Sequence, residues 1–314
     1  MKAASNNVGR KMLAPSSYFV VVALTCTLLC PSGGAAGAER KESKTTRASL
    51  VESTSIEPGA KRFEQFDPSN FDHPEAIDHA WWPLRPGMQS VFEGQTEEDG
   101  KRLPHRLVFT VTNLVKEIGG VRARVILEID YSGGKLVEKE LAFFAQDKSG
   151  NVWLLGEYRE TYDHQLVGGR IWNVNNPEGA KAGILMPADL RPGTPSYSQG
   201  YAPPPFYWTD RGRVSQTGQK VKGPTGTYDD VLVIEEFDAE HPGAFQLKYY
   251  ARGVGNIRVG SRGKDEASET LDLVKTGQLS PKDLAEAQAT ALEMEKRATM
   301  YPAFPPLEQV PLAE

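Results

Sequence analysis

The chain has 314 residues, a quarter of them charged, with 36 basic against 41 acidic side chains and a formal net charge of −5. That acidic balance argues against nucleic acid as a partner, and the length is ample for one domain to bury a core. Its two cysteines, Cys26 and Cys30, fall within the first 38 residues, so the remainder has neither a disulfide nor a cysteine nucleophile.

Those 38 residues read as an export signal. Lys2, Arg10 and Lys11 form a basic start, residues 18–29 an apolar core, and Ala36-Gly37-Ala38 a small-x-small cleavage site. The apolar run is short for a bilayer and no later one is longer, so no integral membrane segment is expected after cleavage. The location expected is periplasmic or extracellular. Thr25 stands where a lipoprotein signal would carry a small residue before Cys26, so lipid anchoring is not expected. Removing three basic and no acidic residues leaves 33 basic against 41 acidic, a net charge of −8. Residues 39–62 are polar and aperiodic, the composition of a disordered linker.

The remainder divides into an antiparallel β domain over 63–276, a helix over 277–302 and a flexible tail over 303–314. A loop-rich lead-in at 66–94 brings aromatics and prolines that pin it to the core, ending in a first strand at 88–93. Residues 107–115 and 121–131 pair through a Gly119-Gly120 hairpin. In the second of these, Val121, Ala123, Val125, Leu127, Ile129 and Tyr131 alternate with Arg122, Arg124, Ile126, Glu128 and Asp130, which predicts one buried and one mostly wet face. A strand at 135–146 alternates less strictly, as if covered on both sides. A turn at Asp147-Lys148-Ser149-Gly150-Asn151, with Gly150 at positive φ, leads to strands at 151–157 and 160–166. Four more are expected at 228–238, 245–251, 256–261 and 270–275. The proline- and glycine-rich stretch 175–217 receives no element.

The closing helix has Ser280 as cap, Pro281 in its first turn and Asp283 completing a capping box. Leu284, Ala287, Ala291, Met294, Ala298 and Tyr301 make a narrow apolar stripe, while Glu286, Glu293, Glu295, Lys296 and Arg297 are expected in water. The fold class is therefore mainly β: a single curved antiparallel sheet or half-open barrel with the C-terminal helix packed on it.

Little in the sequence carries chemistry. The five histidines are scattered, without the spacing of a zinc protease, and there is no Gly-x-Ser-x-Gly elbow. His73 and His79, near Asp72, Glu75 and Asp78, read as a polar loop rather than a metal site. Asp229, Asp230, Glu235, Glu236, Asp238 and Glu240 could attract calcium, but a strand sends Glu235 and Glu236 to opposite faces. No catalytic residue, metal or cofactor is assigned.

Aromatic residues are the surplus. Adjacent pairs such as Phe143-Phe144 and Tyr249-Tyr250 must place one ring on each face of a strand, so a second element or a ligand has to cover the outward ring. This predicts a non-enzymatic envelope binding module for a lipid-like or other apolar molecule, with Phe144, Trp153, Tyr207, Trp208 and Tyr250 as ligand-binding residues. One alternative is a structural or adaptor role, with an envelope protein docking on the proline- and aromatic-rich loop 201–209. A hydrolase-type enzyme is the other.

IDHAWWPLRPG at 77–87, FFAQDKSGNVWLLGE at 143–157 and KYYARGVGNI at 248–257 together resemble the motifs of a family of uncharacterised secreted bacterial proteins. The resemblance runs from about Phe66 to Tyr301 and implies export and a β-rich fold, without naming a reaction. The chain departs from the family pattern at His79, where asparagine is usual, and at 201–212, where an acidic stretch is usual.

Overall fold

The computed structural model describes residues 58–175, 179–203, 206, 208–299 and 307–309. The expected signal peptide, most of the linker, Tyr207, Tyr301 and most of the tail lie outside the described residues.

Two antiparallel meanders build the protein. The first runs through β1 (Met88–Glu98), β2 (Lys101–Ile118), β3 (Val121–Ser132), β4 (Lys135–Gln146) and β5 (Val152–Asp163). Gly119 and Gly120, both at positive φ, make the two-residue loop that sets Ile118 opposite Val121. Gly150, at φ +93°, closes the turn before β5, where Asp147 accepts hydrogen bonds from the backbone of Ser149 and Asn151 and from the Trp153 indole. The second meander comprises β10 (Arg211–Gly223), β11 (Gly226–Phe237), β12 (Ala244–Ala251), β13 (Gly255–Gly263) and β14 (Thr270–Gln278). Pairing of β14 with β1, from Met88↔Gln278 to Gln95↔Thr270, joins them into one sheet.

Between the meanders come β6 (Gln165–Asn173), β7 (Lys181–Met186), β8 (Tyr197–Ser198) and β9 (Gly200–Tyr201). The ladder begins at β8 and ends at β9, which Gln199 alone separates in the chain. The sheet is not closed into a barrel, but this one segment bonds to β10 through its first half and to β7 through its second. The curvature that makes this possible can be sized. Five strands lie between β12 and β4, which in a flat sheet would hold them about 29 Å apart. Yet the Trp82 ring lies 5.0 Å from that of Phe144 on β4 and 6.3 Å from that of Tyr250 on β12.

The helix α1 (Pro281–Ala298) starts as expected, with the Ser280 hydroxyl accepting from the Asp283 backbone, and buries Leu284, Ala291, Met294 and Ala298. It lies on the outside of the curve, over the apolar face of the first meander. Its expected wet side needs a correction: Glu295 is buried and receives a 2.7 Å ion pair from Lys116, which lies on the same face as Ala123 of the neighbouring strand. Arg297 likewise reaches Glu160 at 2.5 Å.

Four further expectations change. The strands foreseen at 151–157 and 160–166 merge into β5 as far as Asp163, because Tyr158 and Arg159 continue the ladder, while Gln165 and Leu166 already belong to β6. The stretch without assigned elements, 175–217, contains β7, β8, β9 and the start of β10. In the expected tail, β15 (Leu307–Gln309) pairs with β2 at Leu114 to Lys116, since β2 is long enough to leave that edge free beyond β1. The most consequential correction concerns β3. Its supposedly wet face is buried: Arg124, Ile126, Glu128 and Asp130 point into the concave interior, while Val121, Ala123, Val125 and Leu127 lie on the outer, helix-covered side.

Candidate functional site

The interior divides into an aromatic end and an ionic end. At the aromatic end the lead-in turns back into the mouth of the curve. The Arg124 guanidinium donates to the Glu75 carbonyl at 3.0 and 3.1 Å. Gln146 accepts from the backbone of Asp78 and His79, and Gly253 donates to the Ala80 carbonyl. So anchored, the chain inserts Trp82, 4% exposed, among Phe109, Phe144 and Tyr250. Trp81 stays at the rim beneath the Arg252 guanidinium, 4.2 Å from its ring centre. Beside Trp82 opens a cleft of about 540 Å³, counting space open to solvent, with Met88, Phe92, Phe109 and Val254 among its walls.

The ionic end is unusual for a core. Paired residues in an antiparallel ladder share a face, so one inward row crosses the sheet as Glu128, Glu140, Arg159 and Arg170. Arg159 is 2% exposed in its side chain and lies 2.7 Å from Glu140 and 3.3 Å from both Glu157 and Glu138. The three carboxylates outweigh the cost of its burial and keep it charged. From the opposite wall, Lys248 pairs with Glu236 at 3.0 Å, and Glu236 also accepts from Gln199 at 2.8 Å. Nearer the far rim, His105 lies between Asp130 at 2.6 Å and Glu269 at 2.7 Å. Burial lowers its affinity for a proton, but the two carboxylates prevail and raise its pKa to about 10.

Carboxylates outnumber cations here, and the surplus shows in their protonation. Burial, then the charge of Glu140, pushes the Glu128 carboxyl well above the usual range, and the same two causes act on Glu157. Asp210 is raised by burial and by Asp238, and burial lifts Glu138 to about 8 despite Arg159. Buried charges without counter-charges cost several kcal/mol each, so neutral acids are the cheaper state.

The five residues expected to bind a ligand do not form one site. Phe144 and Tyr250 flank Trp82 beneath the cleft. Trp153 packs against Phe66 and Phe71 of the lead-in, and Trp208 against Trp172, 5.7 Å between ring centres. Tyr207 lies outside the described residues. In loop 201–209, Phe206 and Trp208 are buried rather than presented for docking, and Tyr201 is half-buried against Phe63. Adjacent rings do divide between faces: Phe143 points outward, under Lys116, and Phe144 inward. Glu235 and Glu236 also diverge, Glu235 outward to Arg213 and Arg262 and Glu236 inward to Lys248. Among the described residues, no three His, Cys, Asp or Glu side chains converge to hold a metal ion.

Sequence reasoning missed Trp82 as a site residue, and with it the acidic row. No local signal pointed to the latter: the Gly133-Gly134 turn by itself would face Glu128 with Lys139, and only a bulge between Asp130 and Tyr131 sets Glu128 opposite Glu140 and Asp130 opposite Glu138, two acid-acid pairs that are unfavourable unless something positive intervenes.

No protein-family model and no curated protein matches the chain. Two solved structures are similar in outline. A provisionally named exported protein of Bacteroides fragilis, described as having a YmcC-like fold, aligns over 64% of this chain and 100% of its own, with a TM-score of 0.37 and 13% identity. A provisionally named lipoprotein of Parabacteroides distasonis aligns over the same shares, with a TM-score of 0.34 and 11% identity. Likeness at this level carries no argument about activity, ligand or location. Among the described residues, no helix is long and apolar enough to cross a membrane.

Proposed function

We propose that this is an exported, non-catalytic binding module that takes an apolar group in the cleft beside Trp82. The export signal at 1–38 and the likeness of its motifs to an uncharacterised secreted family support the location. The cleft supports the rest. A concave, mostly apolar surface with few polar groups is the usual form of a small-molecule site. Trp82 is the observation that carries the reading, because one indole forms the cleft wall and also ties β2, β4 and β12 together. Phe144 and Tyr250, the two expected residues that meet there, back the indole from below. A ligand held against Trp82 would therefore be felt by both walls of the sheet.

The test is titration of the purified protein with N-phenyl-1-naphthylamine, an uncharged dye that brightens on leaving water. Saturable brightening, competed by a long-chain alcohol and abolished by Val254→Arg, is the expected result. Val254 lies in the β12–β13 turn, so the bulky cation fills the cleft without disturbing the sheet. Brightening that Val254→Arg leaves unchanged places the dye elsewhere and defeats the reading.

A further inference from the structure

At the ionic end a second, smaller cavity of about 210 Å³, counting its open side, is lined by Leu107, Glu128, Asp130, Glu138 and Glu140. Its enclosed part has room for about one water-sized group. Of its four carboxylates, three make close ion pairs, Asp130 with His105 and Glu138 and Glu140 with Arg159, whereas Glu128 makes none and feels Lys248 and Arg159 only as neighbouring charges. Glu128 is different. It is 4% exposed, and its Oε1 is buried without a hydrogen-bond partner. Directly across the ladder, Glu140 also has one buried oxygen, Oε1, without a partner. Two unsatisfied acceptors on adjacent strands therefore border one water-sized space, although an unmet buried carboxylate oxygen costs about 1–3 kcal/mol or more.

We propose that this cavity binds the ammonium group of a primary amine, held between Glu128 and Glu140. An ammonium has about the size of water and offers three donors with no acceptor, which suits the pocket once Glu128 gives up its proton to solvent and its carboxylates present only acceptors. Two of its hydrogens satisfy the orphan oxygens. Its charge also removes the acid-acid conflict that the register imposes between β3 and β4. A bare metal ion fits less well, since among the described residues no three such ligands converge closely enough.

This site is independent of the Trp82 cleft, and its test does not involve the dye. Calorimetric titration of the purified protein with ethylammonium chloride, against sodium chloride and tetramethylammonium chloride at equal ionic strength, should show binding only for ethylammonium. Tetramethylammonium carries the charge but has no donor. Glu128→Gln keeps the side chain's shape and should weaken binding at least tenfold, with circular dichroism confirming the fold. Ammonium chloride separates the sources: equal affinity points to the free ion, and tighter binding of ethylammonium to an alkylamine. Equal binding of tetramethylammonium, no ethylammonium heat, or full affinity in Glu128→Gln each overturns the proposal. So does calcium binding in the absence of ethylammonium binding.

Discussion

Single residues fix this protein's interior at two points. Trp82 fills the space where the sheet's two walls approach, so Trp82→Ala should cost about 3–5 kcal/mol through the void it leaves, and Trp82→Phe distinctly less. Urea unfolding of the two variants checks the order. His105 is the second point, a histidine compressed between Asp130 and Glu269. Its pKa is raised from 6.5 to about 10 in the folded state, so its stabilisation is complete below pH 6.5 and fades as pH rises through 10. The stability gap between the wild type and His105→Gln should accordingly shrink over that window. A gap independent of pH would mean that the imidazole is not held protonated.

At the scale of elements, docking of α1 depends on more than its apolar stripe. Lys116 is fully buried under the helix, and burial lowers its pKa to about 8 even with Glu295 beside it. Removing one partner leaves the other charge stranded, so Lys116→Met should cost about 3–5 kcal/mol. Replacing both, as Lys116→Met with Glu295→Met, should return the protein to wild-type stability or above it. A double-mutant cycle by thermal unfolding separates these outcomes, and additive losses would show that the pair is not coupled. The N-terminal cap is a local matter by comparison. Ser280→Ala should cost about 1 kcal/mol, because only Asp283 loses partners, its amide and its exposed carboxylate.

For the whole molecule, the acid-rich interior makes stability depend on pH in an uncommon sense. A carboxyl whose pKa is raised by folding favours the native state below its ordinary pKa and opposes it as pH climbs through the raised value. Glu128, Glu157 and Asp210 are raised well above the ordinary range and Glu138 to about 8. The unfolding free energy should thus fall from pH 5 to pH 8, by about 1.4 kcal/mol per pH unit for each proton that only the folded state retains. Glu128→Gln should flatten the slope, as should an amine bound beside it. Urea titrations at pH 5 and 8 are sufficient to see this.

Local signals in the sequence determined most strands of the two meanders, several turns and the helix, because each is written within a few residues: Gly119-Gly120 at a hairpin, Gly150 after an aspartate, and Ser280-Pro281 before a periodic stripe; they did not reveal β7 to β10. They also determined that Phe143 and Phe144 must part to opposite faces, since strand geometry leaves no choice. Which face becomes the inside was decided only by the tertiary structure. Alternation along β3 distinguishes an apolar side from a polar one, and burying the apolar side is the ordinary expectation. Here the helix covers that side from outside and the sheet curls round the other. Glu128 and Asp130 thereby became interior, with Glu140 and Arg159 beside them, although β3 alone reads as half wet. The same curling brought Trp82, Phe144 and Tyr250 together from distant stretches and left Trp153 and Trp208 apart. Contact between residues more than a hundred positions apart depends on the radius of the sheet, a property of all its strands at once.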